Sequence, residues 1–168
     1  MVEHGARFIR RVLGVAVLLA LCACLDGAFA QEVVHTRVRL VIDGDTIILQ
    51  SGERVRYVGI DTPERGEPFY GKAKRRNKEL VSLVPITLEI CDSERTDKHG
   101  RLLTNVLVSN VSVNEALLKE GLARALIILP CGLKVADRYR ALEAEARDKR
   151  LGIWSVKGGK QKMGGGSR

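Results

Sequence analysis

The stretch "RVRLVIDGDTIILQSGERVRYVGI", Arg37 to Ile60, carries three short β-prone runs separated by two turns. In Arg37 to Ile42 apolar residues alternate with arginines, which is the two-residue period of a half-buried strand. Thr46 to Gln50 and Glu53 to Ile60 continue the run, with Asp-Gly and Ser-Gly turns between them. The stretch therefore predicts a three-stranded meander.

The rest of the chain adds helices and two further strands. The expected elements are a basic helix at Tyr70 to Val84 stopped by Pro85, strands at Ile86 to Ile90 and Leu102 to Val108, a helix opened by the S-x-x-E capping box at Ser112 to Glu115 and ended by Gly121, and a last helix at Leu133 to Arg150. Five strands with three α-helices, the first helix between strands three and four, fit a small closed barrel better than a sandwich or a doubly wound sheet. The fold class expected is α+β, mainly a β-barrel.

The first thirty residues differ from the middle of the chain. Residues 1–30 combine a basic start, an apolar run from Val12 to Leu25 and an Ala-x-Ala site that ends at Ala30, which indicates a signal peptide and a secreted or periplasmic protein. The apolar run is shorter than the roughly 20 residues that span a bilayer, so no stable membrane span is expected. The alternative is a membrane-tethered or lipid-anchored protein, because "LCAC" at Leu21 to Cys24 weakly resembles a lipid-attachment signal at Cys24.

Residues 31–156 are expected to form one domain, and the Gly/Lys-rich tail, residues 157–168, is expected to be disordered. The net charge of +8 suits a polyanionic partner or simply a soluble basic protein.

Cys91 and Cys131 are the two cysteines of the exported part, and an even pair in an oxidising compartment suggests one disulfide. Two unrelated free thiols are the alternative.

Two acidic motifs follow neighbouring predicted strands. "IDGDT" contains Asp43 and Asp45, and taken alone it is most simply a tight turn. "DTPE" adds Asp61 and Glu64, and four acids that share one barrel edge would repel each other unless solvent or a cation intervenes. Carboxylate and carbonyl oxygens suit Ca²⁺ or Mg²⁺, whereas the chain shows no Cys/His spacing typical of zinc.

Two arginines accompany these acids. Arg56 precedes Asp61 by five residues, and Arg101 ends "TDKHGR". Either could be an ordinary surface charge. Acids that hold a cation, with guanidinium groups that grip phosphate oxygens, are however the set that phosphodiester cleavage requires.

The motifs "DGDT", "DTPE" with an arginine five residues ahead, "TDKHGR", "VNEALLKEGLA" and "LGIWS" occur in this order over roughly residues 35 to 155. Together they resemble the staphylococcal nuclease (thermonuclease) family. The resemblance implies a five-stranded OB-fold barrel with three α-helices and a monomeric, Ca²⁺-dependent endo- or exonuclease that hydrolyses DNA and RNA, with no protein partner implied. The alternative is a nucleic-acid-binding OB module without catalysis, although such modules typically lose the acids and arginines that are present here.

The resemblance also assigns roles. The catalytic set would be Arg56 and Arg101, which bind the scissile phosphate, and Glu64, which activates or orients water; the metal ligands would be Asp45, Asp61 and the backbone carbonyl of Thr62, with Asp43 behind them. It also places Cys91 and Cys131 in neighbouring loops, which supports their pairing.

One departure concerns the nucleotide pocket. Where the family's founding member has tyrosines, this chain has His99 and the aliphatic "LIIL", Leu126 to Leu129. Because stacking on an aromatic ring contributes roughly 1 to 3 kcal/mol per base, substrate binding is expected to depend more on phosphate contacts. Lys98 would meet a phosphate and His99 would stack or hydrogen-bond. The basic run Lys72 to Lys78 either guides the polyanion or is a solvated helix face.

Overall fold

A computed structural model describes residues 32–156. The expected signal peptide (residues 1–30) and the expected disordered tail (residues 157–168) lie outside the described residues. Within residues 32–156, no helix is long and apolar enough to cross a membrane.

The chain segments 32–156 form short strands and helices in the predicted order. The strands are β1 Val33–Val41, β2 Thr46–Leu49, β3 Arg54–Tyr57, β4 Ile60–Asp61, β5 Pro85–Ile90, β6 Leu102–Val108, β7 Val111–Ser112 and β8 Arg124–Ala125. The α-helices are α1 Tyr70–Val81, α2 Val113–Lys119 and α3 Ala136–Asp148, and two 3₁₀ helices span Cys131–Val135 and Gly152–Trp154.

The main sheet closes on itself into a barrel. β1, β2 and β3 form the predicted meander, with Leu40 opposite Ile48 and Ile47 opposite Val55. β5 pairs antiparallel with both β1 and β6. The parallel pairing of β3 with β6, which places Val55 opposite Leu102, joins the two ends of the sheet. The predicted α+β fold, a closed five-stranded OB-type barrel with three helices, is confirmed.

Alternate side chains of the strands fill the barrel. Ile47, Val55, Leu88 and Val106 are fully buried, and the helices cover the barrel with their own apolar faces. Full burial of one such side chain stabilises the folded state by about 1.5 to 3 kcal/mol relative to an exposed one. The period-2 pattern thus accounts for the buried side chains of β3, β5 and β6. β1 departs from the predicted alternation, because its register shifts between Val38 and Leu40, so that Leu40 is 51% exposed and Val41 is buried.

Helix α2 has the predicted ends. The Ser112 hydroxyl accepts a hydrogen bond from the Glu115 amide at 3.2 Å, which caps the first turn. Gly121 has φ +64°, and the Leu122 amide donates to the Leu117 carbonyl at 2.8 Å, which closes the helix in a Schellman motif. The Glu115 side chain does not complete the capping box, because it pairs with Lys119 and Arg138 instead.

The other two helices are shorter than predicted. Helix α1 ends at Val81 rather than Val84, because Ser82 is extended and the chain must enter β5 at Pro85. The last helix begins as a 3₁₀ helix at Cys131–Val135, and its α-helical part starts only at Ala136.

Trp154 is not the core anchor that its position after the last helix suggests. Ile153 is the buried residue there, at 6% exposure, and Trp154 is half-buried. Its indole ring lies between two guanidinium groups, 4.7 Å from that of Arg124 and 4.4 Å from that of Arg147. The ring therefore links β8 to α3 by cation–π contacts rather than by core packing.

A disulfide joins Cys91, directly after β5, to Cys131 at the start of the 3₁₀ helix, with the two Cα atoms 5.8 Å apart. The bond ties the segment that leads from β5 into the 92–101 loop to the segment that precedes α3.

Candidate active site

The two acidic motifs pack directly against each other. The Thr62 amide and hydroxyl both donate to Asp45 Oδ2, at 2.8 and 2.9 Å. A Cβ at Gly44 would lie only 2.6 Å from the Thr62 hydroxyl, so no larger residue fits between them. Gly44 is required for this close approach and not for a positive φ, which it does not have.

Buried hydrogen bonds hold the "IDGDT" turn against α1. The Asn77 side-chain amide donates to the Asp43 carbonyl at 3.0 Å, and the Tyr57 hydroxyl donates to Asn77 Oδ1 at 2.8 Å. Burial raises the pKa of Tyr57 above its ordinary value, so the hydroxyl stays protonated and keeps donating. The Asp43 carboxylate in turn accepts from the Asp45 amide at 3.1 Å.

Arg56 lies between two of the acids. Its guanidinium contacts Asp45 Oδ2 through Nη1 and Asp61 Oδ1 through Nη2, the latter at 3.0 Å. Backbone pairing of β4 with β8, which places Asp61 opposite Arg124, sets the position of Asp61. The Arg56 side chain is only 14% exposed, so its charge is held inside the site.

The acids carry more negative charge than Arg56 offsets. Burial, followed by the charge of Asp45, raises the pKa of Asp43. Burial also raises the pKa of Asp61; Arg56 opposes that rise, and the charges of Asp45 and Glu64 add to it. The part of each shift that comes from neighbouring carboxylates is the part that an additional positive charge at this place would oppose.

These side chains surround a cavity of about 350 Å³, called here the acidic cavity. It is lined by Asp43, Asp45, Thr46, Arg56, Asp61, Thr62, Pro63, Glu64, Arg65, Tyr70 and Arg101. Glu64 is exposed, and its carboxylate has no hydrogen-bond or ion-pair partner among residues 32–156. Within the same residues, no three His, Cys, Asp or Glu side chains are already gathered in metal-binding geometry, consistent with Arg56 holding two of the acids.

Arg101 is aimed by Asp97. The Asp97 carboxylate accepts from the Arg101 amide at 3.0 Å and from Arg101 Nε at 2.7 Å, and it also accepts from the His99 amide at 2.9 Å. Burial alone would raise the pKa of Asp97, but these hydrogen bonds outweigh it and the pKa is lowered. Asp97 thus fixes the turn and the guanidinium together.

A second cavity of about 360 Å³, the loop cavity, lies beside the first and shares Arg56 and Arg101 with it. Lys98 and His99 line one side, and Ile128 and Leu129 supply an exposed aliphatic surface. Cys131 of the disulfide forms part of the wall. The two arginines therefore form a common boundary between an acidic and a mainly apolar space.

The Asp97→Asn variant is expected to unfold more easily than the parent protein near neutral pH, with the difference shrinking as pH falls. A carboxylate whose pKa is lowered by folding stabilises the fold above its ordinary value of 3.8, and this contribution disappears as pH drops through the lowered pKa. Urea unfolding of both proteins between pH 3 and 7 measures the difference. An equal difference at both ends of that range would contradict the assignment.

Comparison with known proteins agrees with this geometry. A family model described as "Staphylococcal nuclease homologue" matches residues 54–156. The chain belongs to the staphylococcal nuclease family. It is 42% identical over 137 residues to the endonuclease YncB of Bacillus subtilis, covering 76% of this chain and 65% of that protein. It is 37% identical over 163 residues to the thermonuclease of Staphylococcus intermedius, covering 85% and 94%.

Some relatives of the family are longer than this chain. The prophage-derived endonuclease YokF of Bacillus subtilis is 42% identical over 137 residues, yet only 46% of its length is covered. The chain thus spans about two thirds or less of the two Bacillus proteins, and nearly all of the staphylococcal one.

All of the acids and arginines expected from the family motifs line the acidic cavity, whereas Lys98 and His99 line only the loop cavity. Residue-level interpretation of the sequence missed Asn77, Asp97 and Arg65. Asn77 has a detectable signal, because it occupies the middle of the buried i, i+4 series Ala73, Asn77, Val81 on α1. Asp97 stands four residues before Arg101 within a turn, which is a weaker signal.

Proposed function

We propose that this protein is a Ca²⁺-dependent nuclease that hydrolyses phosphodiester bonds of DNA and RNA. The observation that carries the proposal is the common boundary of the two cavities, where Arg56 and Arg101 lie between a group of four carboxylates and a space with a lysine and an aliphatic surface. The names of the relatives, endonuclease and thermonuclease, support the same activity.

The acids suit a calcium ion in their chemistry. They offer only hard oxygen donors, and burial together with the charges of neighbouring carboxylates raises the pKa of Asp43 and of Asp61, an effect that a bound cation would oppose. Asp45, Asp61 and the Thr62 carbonyl would hold the ion, with Asp43 supporting the turn behind them. When bound, the ion would offset negative charge on the phosphate and on the attacking oxygen.

The side chains of the acidic cavity would have distinct roles in the reaction. Arg101 would donate to the phosphate oxygens through the N–H groups that Asp97 leaves free, and Arg56, held at the same boundary by Asp45 and Asp61, would place its positive charge beside them. These interactions strengthen as charge grows on the oxygens in the transition state. Asp97 holds the Arg101 guanidinium in orientation, so little ordering is required when the substrate binds. Glu64, whose carboxylate is exposed and unpaired within residues 32–156, would accept the proton of water or orient it.

The substrate's base would lie in the loop cavity. Lys98 would meet a phosphate, and His99 would stack on a base or hydrogen-bond with it, while Ile128 and Leu129, which line the same cavity, would offer an apolar surface. All of these residues belong to one chain, so the proposed activity needs no protein partner and suits a monomer. The composition of residues 1–30 supports export to a secreted or periplasmic location.

A nuclease assay controlled by chelation tests the proposal. Single-stranded DNA should be degraded in Ca²⁺, spared when a chelator is added, and degraded again when Ca²⁺ is restored in excess. The Glu64→Ala, Arg56→Ala double variant should stay inactive throughout. Binding of DNA without cleavage by the parent protein would instead identify a non-catalytic binding module, and full activity of the double variant would contradict the mechanism.

A further inference from the structure

We propose that Arg65 and Tyr70 form a subsite for the phosphate that neighbours the scissile one, on the side of the acidic cavity away from the loop cavity. Both residues line the acidic cavity, and neither lines the loop cavity. The inference rests on the proposed nuclease function and adds a second substrate contact to it.

Arg65 differs from the other arginines of the acidic cavity in having no partner. Arg56 is paired with Asp45 and Asp61, and Arg101 with Asp97. Arg65 is exposed and makes no ion pair or hydrogen bond with any residue in 32–156, although four carboxylates line the same cavity. Its guanidinium is therefore available to an external anion.

A short turn holds Arg65 beside the site. The Glu64 amide donates to the Glu67 carboxylate at 2.9 Å, and the Glu67 amide donates back to the Glu64 carbonyl at 2.9 Å. Because these two hydrogen bonds join residues 64 and 67, the backbone that carries Glu64 and Arg65 has a defined conformation. The arginine thus stands next to the proposed water-activating carboxylate rather than on a free loop.

Tyr70 adds a donor to the lining of the same cavity. It is half-buried as the first residue of α1, and its hydroxyl has no hydrogen-bond partner among residues 32–156. Tyr70 and Arg65 line the same cavity, and a neutral hydroxyl and an unpaired guanidinium are groups that bind phosphate oxygens.

The path of a polynucleotide requires such a contact. A strand whose scissile phosphate lies against Arg56 and Arg101 extends to both sides of that boundary. On one side Lys98 meets the next phosphate, but on the other side the next phosphate approaches the carboxylates of the acidic cavity. The proposed calcium ion would offset only part of the charge of the four carboxylates, and Arg65, which is unpaired within residues 32–156, would supply further positive charge for this phosphate.

Three oligonucleotides test the subsite: a dinucleotide with one phosphodiester, the same dinucleotide with an added 5′-terminal phosphate, and the same with an added 3′-terminal phosphate. In the parent protein each added phosphate should raise kcat/KM. Arg65→Ala should reduce the gain from one of the two phosphates by about tenfold, the usual size for a lost charged hydrogen bond, and Lys98→Ala should reduce the gain from the other. Tyr70→Phe should lower the same gain as Arg65→Ala by about threefold.

Arg75→Ala is the matched control, because Arg75 is an exposed arginine of α1 that lines neither cavity. It removes the same charge and should keep both gains. The subsite is refuted if Arg65→Ala keeps both gains, if it reduces both equally, or if Arg75→Ala matches it. A parent protein that hydrolyses none of the three substrates would contradict the proposed function and this inference with it.

Discussion

The Arg101→Ala variant is expected to lower kcat for DNA hydrolysis by about 10² to 10³, the usual cost of removing one donor to transition-state charge. Arg101 lines both cavities and is held by two hydrogen bonds to Asp97 before any substrate arrives. An oriented donor of this kind acts mainly on the charge that develops during reaction, so kcat should fall more than KM rises. Steady-state kinetics on single-stranded DNA in excess Ca²⁺ measures both.

Two further variants, Arg101→Lys and Arg54→Ala, serve as controls for this experiment. Lysine keeps the charge but loses the planar fork that Asp97 and a phosphate can share, so Arg101→Lys should recover only part of the loss. Arg54 is an exposed arginine on β3 that lines neither cavity, and its replacement controls for the change in net charge. Equal losses in Arg101→Ala and Arg54→Ala would show that Arg101 acts only through long-range attraction.

Arg56→Ala should reduce kcat by a similar factor, with an additional effect on the fold. Removing this guanidinium leaves Asp45 and Asp61 without their shared partner, in a site where burial already raises the pKa of Asp61. Circular dichroism and urea unfolding with and without Ca²⁺ separate the two effects, since an added cation should restore stability without restoring turnover. Restored turnover would contradict a role of Arg56 on the phosphate.

Removing the disulfide is expected to lower the free energy of unfolding by about 4 kcal/mol. Cys91 and Cys131 are separated by 40 residues, and cross-linking a loop of this size restricts the unfolded chain by about that amount in the chain-entropy model. The Cys91→Ser, Cys131→Ser double variant should therefore show a lower urea midpoint than the oxidised parent protein.

A reducing agent provides the internal control. It should shift the midpoint of the parent protein toward that of the double variant and leave the variant unchanged. The parent should also show no free thiol from this pair when unfolded without reductant. Two titratable thiols in the unfolded parent, together with equal midpoints, would disprove the bond.

Much of the barrel was predictable because its strands obey local rules. The alternation of apolar residues in β3 predicts which side chains face inward, and the Ser112 cap and Gly121 mark the ends of α2 through chemistry within a few residues. In β1 a register shift buries Val41 in place of Leu40, which alternation alone does not predict. Helix α1 and Trp154 were less predictable, since the entry into β5 and the two arginines that flank the indole come from elsewhere in the chain.

By itself the sequence determined the three-stranded meander, the nature of the acids and arginines, and the family to which their spacing points. Only the tertiary structure decided which of these groups are in contact. Thr62 packs against Gly44 and donates hydrogen bonds to Asp45, and the Asn77 side chain donates from α1 to the "IDGDT" turn. Arg56 forms ion pairs with two carboxylates, those of Asp45 and Asp61. The physical reason is the separation in sequence between the residues that interact. Periodicity and turns depend on neighbours in sequence, whereas ion pairs and buried hydrogen bonds depend on the closure of the barrel, which brings distant segments together.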